Sequence, residues 1–263
     1  MKYFTFISGA TGGIGKAFSE LCAENNYNLF LTGRSEEKLS ALKEKLLKIS
    51  PRIEIETFAC NLDNFDDRTE MFNYIENKGI VFDRLINVAG VDTQKGFLEY
   101  TREKALFQLR VNGEATIDVT KEILSHRAEN LEIITISSMS GVSPMPYFAI
   151  YSATKAMLYN FFTAMHYELK KDGVKVTTVL PGGVPTRPDI INEIKTQGLW
   201  GKLTAKPASF IAKKALKAVH KNKKRCIPGF WNRFLFVLMH LAPKGIVLRY
   251  IAHRWKTHSK DAF

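Results

Sequence analysis

The sequence predicts an α/β fold: a doubly wound parallel sheet of about seven strands with a C-terminal helical extension. Three observations predict it. Short apolar, β-branched runs alternate with longer segments of helical period, and strict strand–helix alternation implies βαβ units with helices on both faces of a parallel sheet. The strand-like runs lack clean period-two polarity, as expected when both faces are covered. A glycine-rich turn joins the first run to the first helical segment, and in such a sheet a ligand sits outside the carboxyl ends of the strands, where strand order reverses.

Taken in order, 3–8 (YFTFIS), 28–33 (NLFLTG), 53–58 (IEIETF), 84–90 (RLINVAG), 131–138 (LEIITISS), 174–182 (VKVTTVLPG) and 224–229 (KRCIPG) read as strands. Helical segments are predicted near 14–26, 36–49, 66–78, 101–127, 151–172 and 207–223. The chain has 263 residues, 45% of them hydrophobic, enough to bury one large core. No internal repeat, low-complexity tract or Pro/Gly/Ser-rich linker divides it. The opening stretch MKYFTFISGA is too short in its apolar run for a signal peptide and reads as the first strand. Cys22, Cys60 and Cys226 are odd in number and lack metal-ligand spacing, which points to reduced thiols and a cytoplasmic chain.

The net charge of +12 is uneven. Residues 1–194 hold 22 Lys+Arg against 25 Asp+Glu, whereas residues 195–263 hold 16 Lys+Arg against Asp261 alone. That asymmetry bears on partners and not on fold.

After the first strand, SGATGGIGKAF places Gly9, Gly13 and Gly15 at G-x-x-x-G-x-G spacing ahead of a helix. Small residues let the backbone approach a pyrophosphate, and the helix N-terminus offers free N–H groups with partial positive charge. The strand–turn–helix context is what a dinucleotide site requires. At the end of the second strand, Gly33 occupies the position where an acidic side chain would bind the ribose hydroxyls of NAD, and Arg34 follows. A glycine leaves room for a 2′-phosphate and a guanidinium can hold it in bidentate fashion, which favours NADP(H) over NAD(H). The competing reading pairs Arg34 with Glu36 or Glu37.

Four tyrosines stand four residues before a lysine: Tyr74 and Lys78, Tyr100 and Lys104, Tyr151 and Lys155, Tyr167 and Lys171. A lysine one turn along a helix lowers the pKa of a phenol, so spacing alone selects none of them. Position favours Tyr151. It opens a helix just after the strand that Ser138 ends, so a hydroxyl able to polarise a carbonyl and a phenol able to deliver a proton lie near one strand end. Tyr167, sixteen residues along the same helix, lies about 24 Å away. Asn112, in LRVNGEA, is a third polar group in an apolar context.

With these motifs in order, the sequence resembles the short-chain dehydrogenases/reductases of the single-domain kind over about residues 3–229, a Rossmann-type fold. The glycine motif matches SGATGGIG, the Asn-Asn-Ala-Gly motif matches NVAG (Asn87 to Gly90), and PGGVPT (Pro181 to Thr186) matches the segment that holds the nicotinamide carboxamide. The resemblance implies that 1–229 is a dinucleotide-binding and catalytic domain, with 230–263 as its extension. It implies catalytic roles for Asn112, Ser138, Tyr151 and Lys155. Tyr151 would be the general acid in reduction, Ser138 would polarise the carbonyl, Lys155 would hold the nicotinamide ribose and lower the phenol pKa, and Asn112 would maintain a water-linked relay. Cofactor contacts would come from Gly9, Thr11, Gly13, Ile14, Gly15, Arg34, Asn61, Leu62, Asn87, Ala89, Gly90, Tyr151, Lys155, Pro181, Gly182, Val184 and Thr186, with no metal. Hydride would pass between the nicotinamide and a moderately hydrophobic ketone or secondary alcohol. The rival is a non-catalytic NADP(H)-binding sensor or scaffold. Relatives often dimerise through the helix bearing the active tyrosine, and 156–169 is apolar enough for a homodimer or homotetramer.

Three departures stand out. Val88 replaces the second asparagine of the NNAG motif, Asn61 stands where the family has the aspartate facing adenine, and a long tail follows the seventh strand. In that tail, Phe230 to Ala242 is apolar but too short to span a ~30 Å hydrocarbon core. Val247, Ile251 and Trp255 then fall at i, i+4, i+8 among Arg249, His253 and Lys256, a basic amphipathic helix. Three readings fit: helices capping the substrate pocket or a subunit interface, peripheral attachment to an anionic membrane, or contact with nucleic acid. No nucleic-acid motif accompanies the charge, which argues against the last. Residues 187–206 correspond to a mobile lid in relatives, and Leu199, Trp200 and Leu203 would either line an apolar substrate wall or pack the lid down.

Overall fold

The computed structural model describes residues 2–256, apart from the side chain of Glu193. Runs rich in Phe, Ile, Leu and Val form seven strands: β1 (Tyr3–Ser8), β2 (Asn28–Gly33), β3 (Ile55–Ala59), β4 (Val81–Asn87), β5 (Arg127–Ile136), β6 (Lys175–Val179) and β7 (Arg225–Cys226). They form one sheet in the order β3-β2-β1-β4-β5-β6-β7, with every pair parallel. The order reverses between β1 and β4, so the crevice outside their carboxyl ends is where a ligand belongs.

Helices cover both faces, as the unbroken apolar character of the strands demands. On one side α1 (Gly13–Glu24), α2 (Glu36–Ile49) and α9 (Ala208–His220) bury Ile7, Leu29, Leu31, Leu39 and Ile134. On the other, α3 (Phe65–Asn77), α5 (Ala115–Ser125) and α6 (Ala149–Glu168) close over an aromatic core. There Phe6 stacks on Phe30 at 5.3 Å, and Phe82 meets both rings edge-on at 5.8 and 6.0 Å. Side-chain caps fix several helix starts: Ser35 accepts from Lys38 N–H, Asn64 from Asp66 N–H, and Thr101 from Lys104 N–H at the start of α4 (Arg102–Leu109).

The predicted strands run past the ladder at the functional edge. β4 stops at Asn87, β5 at Ile136 and β6 at Val179, so Val88–Gly90, Ser137–Ser138 and Leu180–Gly182 belong to loops at the rim of the crevice. Apolar and small residues continue beyond the last ladder pair, which hides the boundary from the sequence. The seventh strand shrinks from 224–229 to two residues. The single helix expected at 101–127 is broken by a π-turn, Arg110–Glu114, between α4 and α5, and its last residue already belongs to β5.

Residues 187–206 are themselves helical, as α7 (Pro188–Thr196) and α8 (Gly198–Thr204). The tail forms α10 (Phe230–Leu241) and α11 (Lys244–Trp255), separated at Pro243. The last residues of the 230–263 extension, including Asp261, lie outside the described residues. Among the described residues no helix is long and apolar enough to cross a membrane. The three cysteines are unpaired.

Candidate active site

The cradle is built by close backbone packing at the end of β1. Gly9 has φ +63°, and a Cβ there would lie 2.9 Å from Ala89 Cα. A Cβ on Gly15 would collide with the Gly9 carbonyl oxygen and lie 2.8 Å from Ala10 Cα. Both positions therefore exclude side chains, by conformation at the first and by space at the second. Ser8 fixes the turn against the neighbouring strand end, its hydroxyl accepting from Val88 and Ala89 N–H at 3.1 and 3.2 Å. The N-cap of α1 is Gly12, with no side-chain cap and no acid in the first turn. The N–H groups of that turn could thus receive an anion without competition from a side-chain cap or a first-turn acid. These residues fit a dinucleotide pyrophosphate. A Cβ on Gly13 would collide with Thr186, so the PGGVPT segment lies directly over the turn.

Around this cradle the other expected cofactor residues take distinct places. Thr11 approaches Gly33, where a Cβ would be 3.1 Å from Thr11 Oγ1. Arg34 is exposed, and among the described residues neither Glu36 nor Glu37 pairs with it. Ile14 is half-buried. Asn61 is exposed beyond β3, its N–H donating to Asp67 at 3.0 Å, while Leu62 is buried and its carbonyl accepts from Arg68. The Asn87 side chain turns inward, its Nδ2 donating to Thr120 and Thr135 at 3.0 and 3.3 Å. It ties the end of β4 to α5 and β5, and its Oδ1 has no partner among the described residues. Pro181 and Val184 are buried, and a Cβ on Gly182 would lie 2.7 Å from Asn232 Oδ1 on α10.

Lys155 is buried on α6, one turn from Tyr151, and donates to the Ile136 carbonyl at 2.9 Å. Its ammonium lies 5.6 Å from the centroid of the Tyr151 ring. A Cβ on Gly90 would lie 3.2 Å from Lys155 Nζ and 3.3 Å from Asn112 Oδ1, so ammonium and amide converge on the NVAG loop. Burial lowers the Lys155 pKa to about 8, against the raising influence of Asp92.

Asn112 reaches this point because the π-turn re-aims its side chain; such turns recur at functional positions. Its amide clamps Val91, Oδ1 accepting from Val91 N–H at 2.7 Å and Nδ2 donating to the Val91 carbonyl at 2.9 Å. Thr154 accepts a further bond from Nδ2 at 3.2 Å. Ser138 N-caps a 3₁₀ turn, Met139–Gly141, and lies next to Ser137, whose hydroxyl donates to the Lys155 carbonyl at 2.7 Å. Serine loop, lysine and tyrosine thus share one edge of α6.

The other three tyrosines are otherwise engaged. Tyr74 donates to Glu56, which pushes its pKa up to about 12. Tyr100 donates to the Thr93 carbonyl at 2.7 Å. Tyr167 is exposed and accepts from Lys224, which lowers its pKa.

Sequence reasoning missed several supports. Phe148 stacks on Tyr151, with ring centroids 4.4 Å apart and an interplanar angle of 16°. Tyr147 before it holds φ +63°, an unusual conformation for a tyrosine, inside the loop that links Ser138 to Tyr151. Arg187, just ahead of α7, pairs with Asp92 at 2.9 Å. The adjacency of YF to Tyr151 was the only available signal for the stack; the ion pair joins residues 95 apart and had none. The tail also borders a half-open pocket of about 500 Å³ beside the serine loop, with Val142, Pro144, Met145 and Ala153 on one side and His240 and Leu248 on the other.

A parallel α/β sheet with a glycine cradle at its switch point defines a nucleotide-binding architecture. Residues 4–194 match the short chain dehydrogenase family, and the chain belongs to that family of NAD(P)-dependent oxidoreductases acting on carbonyl and alcohol groups. It is 31% identical over 239 residues to a very-long-chain 3-oxoacyl-CoA reductase of Neurospora crassa, covering 88% of this chain and 70% of that one. Its fold is similar to that of a 7beta-hydroxysteroid dehydrogenase, with TM-score 0.85, 22% identity, and 95% and 96% of the two chains covered. A short-chain dehydrogenase from Sphingobium yanoikuyae in complex with NADPH matches at TM-score 0.75 and 23% identity, covering 92% and 96%. A 3-oxoacyl-[acyl-carrier protein] reductase from Brucella melitensis with bound NAD matches at 0.74 and 20%, covering 87% and 91%.

Proposed function

We propose that the chain is an NADP(H)-dependent carbonyl reductase that moves a hydride between the nicotinamide and a moderately hydrophobic ketone or secondary alcohol. The observation that carries this reading is the convergence of Lys155 Nζ and Asn112 Oδ1 at Gly90, with Tyr151 one turn away and the Ser137–Ser138 loop held to the Lys155 backbone. The cofactor, when bound, supplies the hydride; the chain supplies position and protonation. Tyr151 delivers the proton to the carbonyl oxygen and Ser138 donates a hydrogen bond to it. Lys155 remains mostly cationic at neutral pH and sets its charge beside the Tyr151 ring, while Asn112 holds the loop through Val91.

Arg34, exposed and uncommitted to the acids beside it, supports selection of a 2′-phosphate. The solved relatives carry either cofactor, so the preference rests on this arginine and on Gly33. The name of the Neurospora relative suggests the substrate class, a ketone on an acyl chain, which agrees with the apolar lining of the cavity beside the serine loop. A homodimer or homotetramer belongs to the same reading, because Leu106 and Leu109 on α4 and Met157 on α6 leave an exposed apolar face.

The test is NADPH oxidation followed by fluorescence with a panel of short and long 3-oxoacyl thioesters and simple ketones. The native chain turns over at least one of them, and Arg34→Asp shifts the coenzyme ratio toward NADH by about tenfold or more. NADPH binding without turnover on any ketone leaves the sensor reading instead, and an unchanged coenzyme ratio removes Arg34 from phosphate recognition.

A further inference from the structure

α10 carries a second apolar row that the fold leaves uncovered. Asn232 and Phe236 face the protein and are buried. Phe230, Phe234, Val237, Leu238 and Leu241, at i, i+4, i+7, i+8 and i+11, form the opposite face and are exposed, Phe230 by 72% and Leu241 by 78%. A helix inside a water-soluble protein places polar residues on such a face; this one places Phe, Val and Leu there. The row continues onto α8. Trp200 meets Trp231 edge-on at 6.1 Å, and Trp231 in turn meets Phe230 at 5.6 Å and Phe234 at 6.1 Å. Leu199 beside them is 72% exposed. It does not pack the lid down, one of the two roles its sequence suggested. Ile246 and Tyr250 extend the apolar surface along α11. An exposed patch of this extent marks an interaction surface.

We infer that this face docks on an anionic lipid membrane surface, lying in the interface without spanning it. Charge complementarity selects the occupant. Between residues 195 and 256 the chain has no Asp or Glu at all. Exposed Lys202, Arg233, Lys244, Arg249 and Lys256 accompany the apolar row. Apolar side chains inserted at the headgroup boundary, flanked by cations, are what binds a bilayer bearing negative headgroups. A second copy fits less well, because a two-fold interface through α10 and α11 would set these cations against a segment, 195–256, that carries no acid.

The patch is also tied to the active-site edge. α10 starts directly after β7, at the carboxyl end of the sheet. Asn232 donates to the Thr204 carbonyl at 2.9 Å and the Pro228 carbonyl at 2.7 Å, and its Oδ1 faces Gly182. Docking through α10 and α8 therefore sets the lid and the crevice mouth toward the lipid, a route by which an apolar carbonyl substrate reaches the site without crossing water. That route rests on the proposed reductase activity; the docking surface does not, and its test reads no turnover.

The experiment is co-sedimentation of the full chain with vesicles of phosphatidylcholine alone and of phosphatidylcholine doped with phosphatidylserine, at low and high salt. The native chain pellets with the phosphatidylserine vesicles, less so at high salt. The F234E/L241E double variant, changed only at exposed positions and melting as the native chain does, pellets about tenfold less or below detection. Should that variant fold poorly, K244E/R249E tests the same surface from the side of charge and loses the phosphatidylserine-dependent fraction. Native protein that stays in the supernatant with both vesicles, or variants that pellet undiminished, overturns the inference. So does a native dimer that F234E/L241E dissociates while neither protein pellets, which assigns the face to a second copy.

Discussion

Lys155 sits in a conflict between burial and charge. Its ammonium has the Ile136 carbonyl as acceptor yet lies in the interior, so its pKa falls from 10.5 for a free lysine to about 8. Below about pH 8 the folded chain holds a charge that water would hold better. Between about 8 and 10.5 the unfolded chain binds a proton that the folded chain has released, so stability rises with pH across that window. Lys155→Met removes this dependence. In the cofactor-free protein, denaturant unfolding near pH 7 and again near pH 10.5 should show the native chain gaining about 3 kcal/mol on the variant over that interval. A constant difference between the two proteins would mean that the lysine is solvated. Tyr151 depends on the same neighbourhood, held by the Phe148 stack on one side and by the turn of helix leading to Lys155 on the other. A buried charge at neutral pH costs stability, the pattern expected if Lys155 has the role proposed for it.

At the scale of elements, two local devices make the site: the glycine turn before α1 and the π-turn between α4 and α5. The first was legible from Gly9, Gly13 and Gly15, because a strand, a turn of small residues and a helix leave a distinct pattern. Gly15→Ala tests it. The added methyl meets the Gly9 carbonyl, so the variant should lose about 1–3 kcal/mol of stability and much of its NADPH affinity, read by thermal melting and fluorescence titration. Unaltered NADPH affinity would show that the turn tolerates a side chain and is not the cradle. The π-turn was not legible. LRVNGEA has ordinary helical period, and one extra residue in a turn changes no polarity pattern. Asn112 was nominated by the family resemblance, while the backbone device at its position stayed hidden. Strand ends were read too long at Gly90, Ser138 and Gly182 for a related reason: small and apolar residues follow the last ladder bond, and only the parallel register shows where pairing stops.

Over the whole molecule, the parallel sheet and its two helical layers followed from alternation and the uninterrupted apolar runs, whereas the strand order came from the structure. The direction in which the tail faces did not. Phe234 and Phe236 are the same residue type two positions apart, one exposed and one buried, and nothing in composition tells them apart. The stripe of Val247, Ile251 and Trp255 was legible because Arg249 and His253 interrupt it. The three polar residues of α10, Asn232, Arg233 and His240, do not mark its outer face, and Asn232 is buried. The end of α8, the tail and the PGGVPT segment meet at Asn232, so the extension packs against the rim of the candidate site. The central claim is that Tyr151 protonates a carbonyl beside a cofactor held by the glycine turn. Its most direct measurement is steady-state reduction by Tyr151→Phe with NADPH and whichever ketone the native chain accepts, alongside a binding titration. NADPH affinity should stay within about twofold while turnover falls by about 100-fold or more; turnover close to native would contradict the assignment of the proton to this phenol.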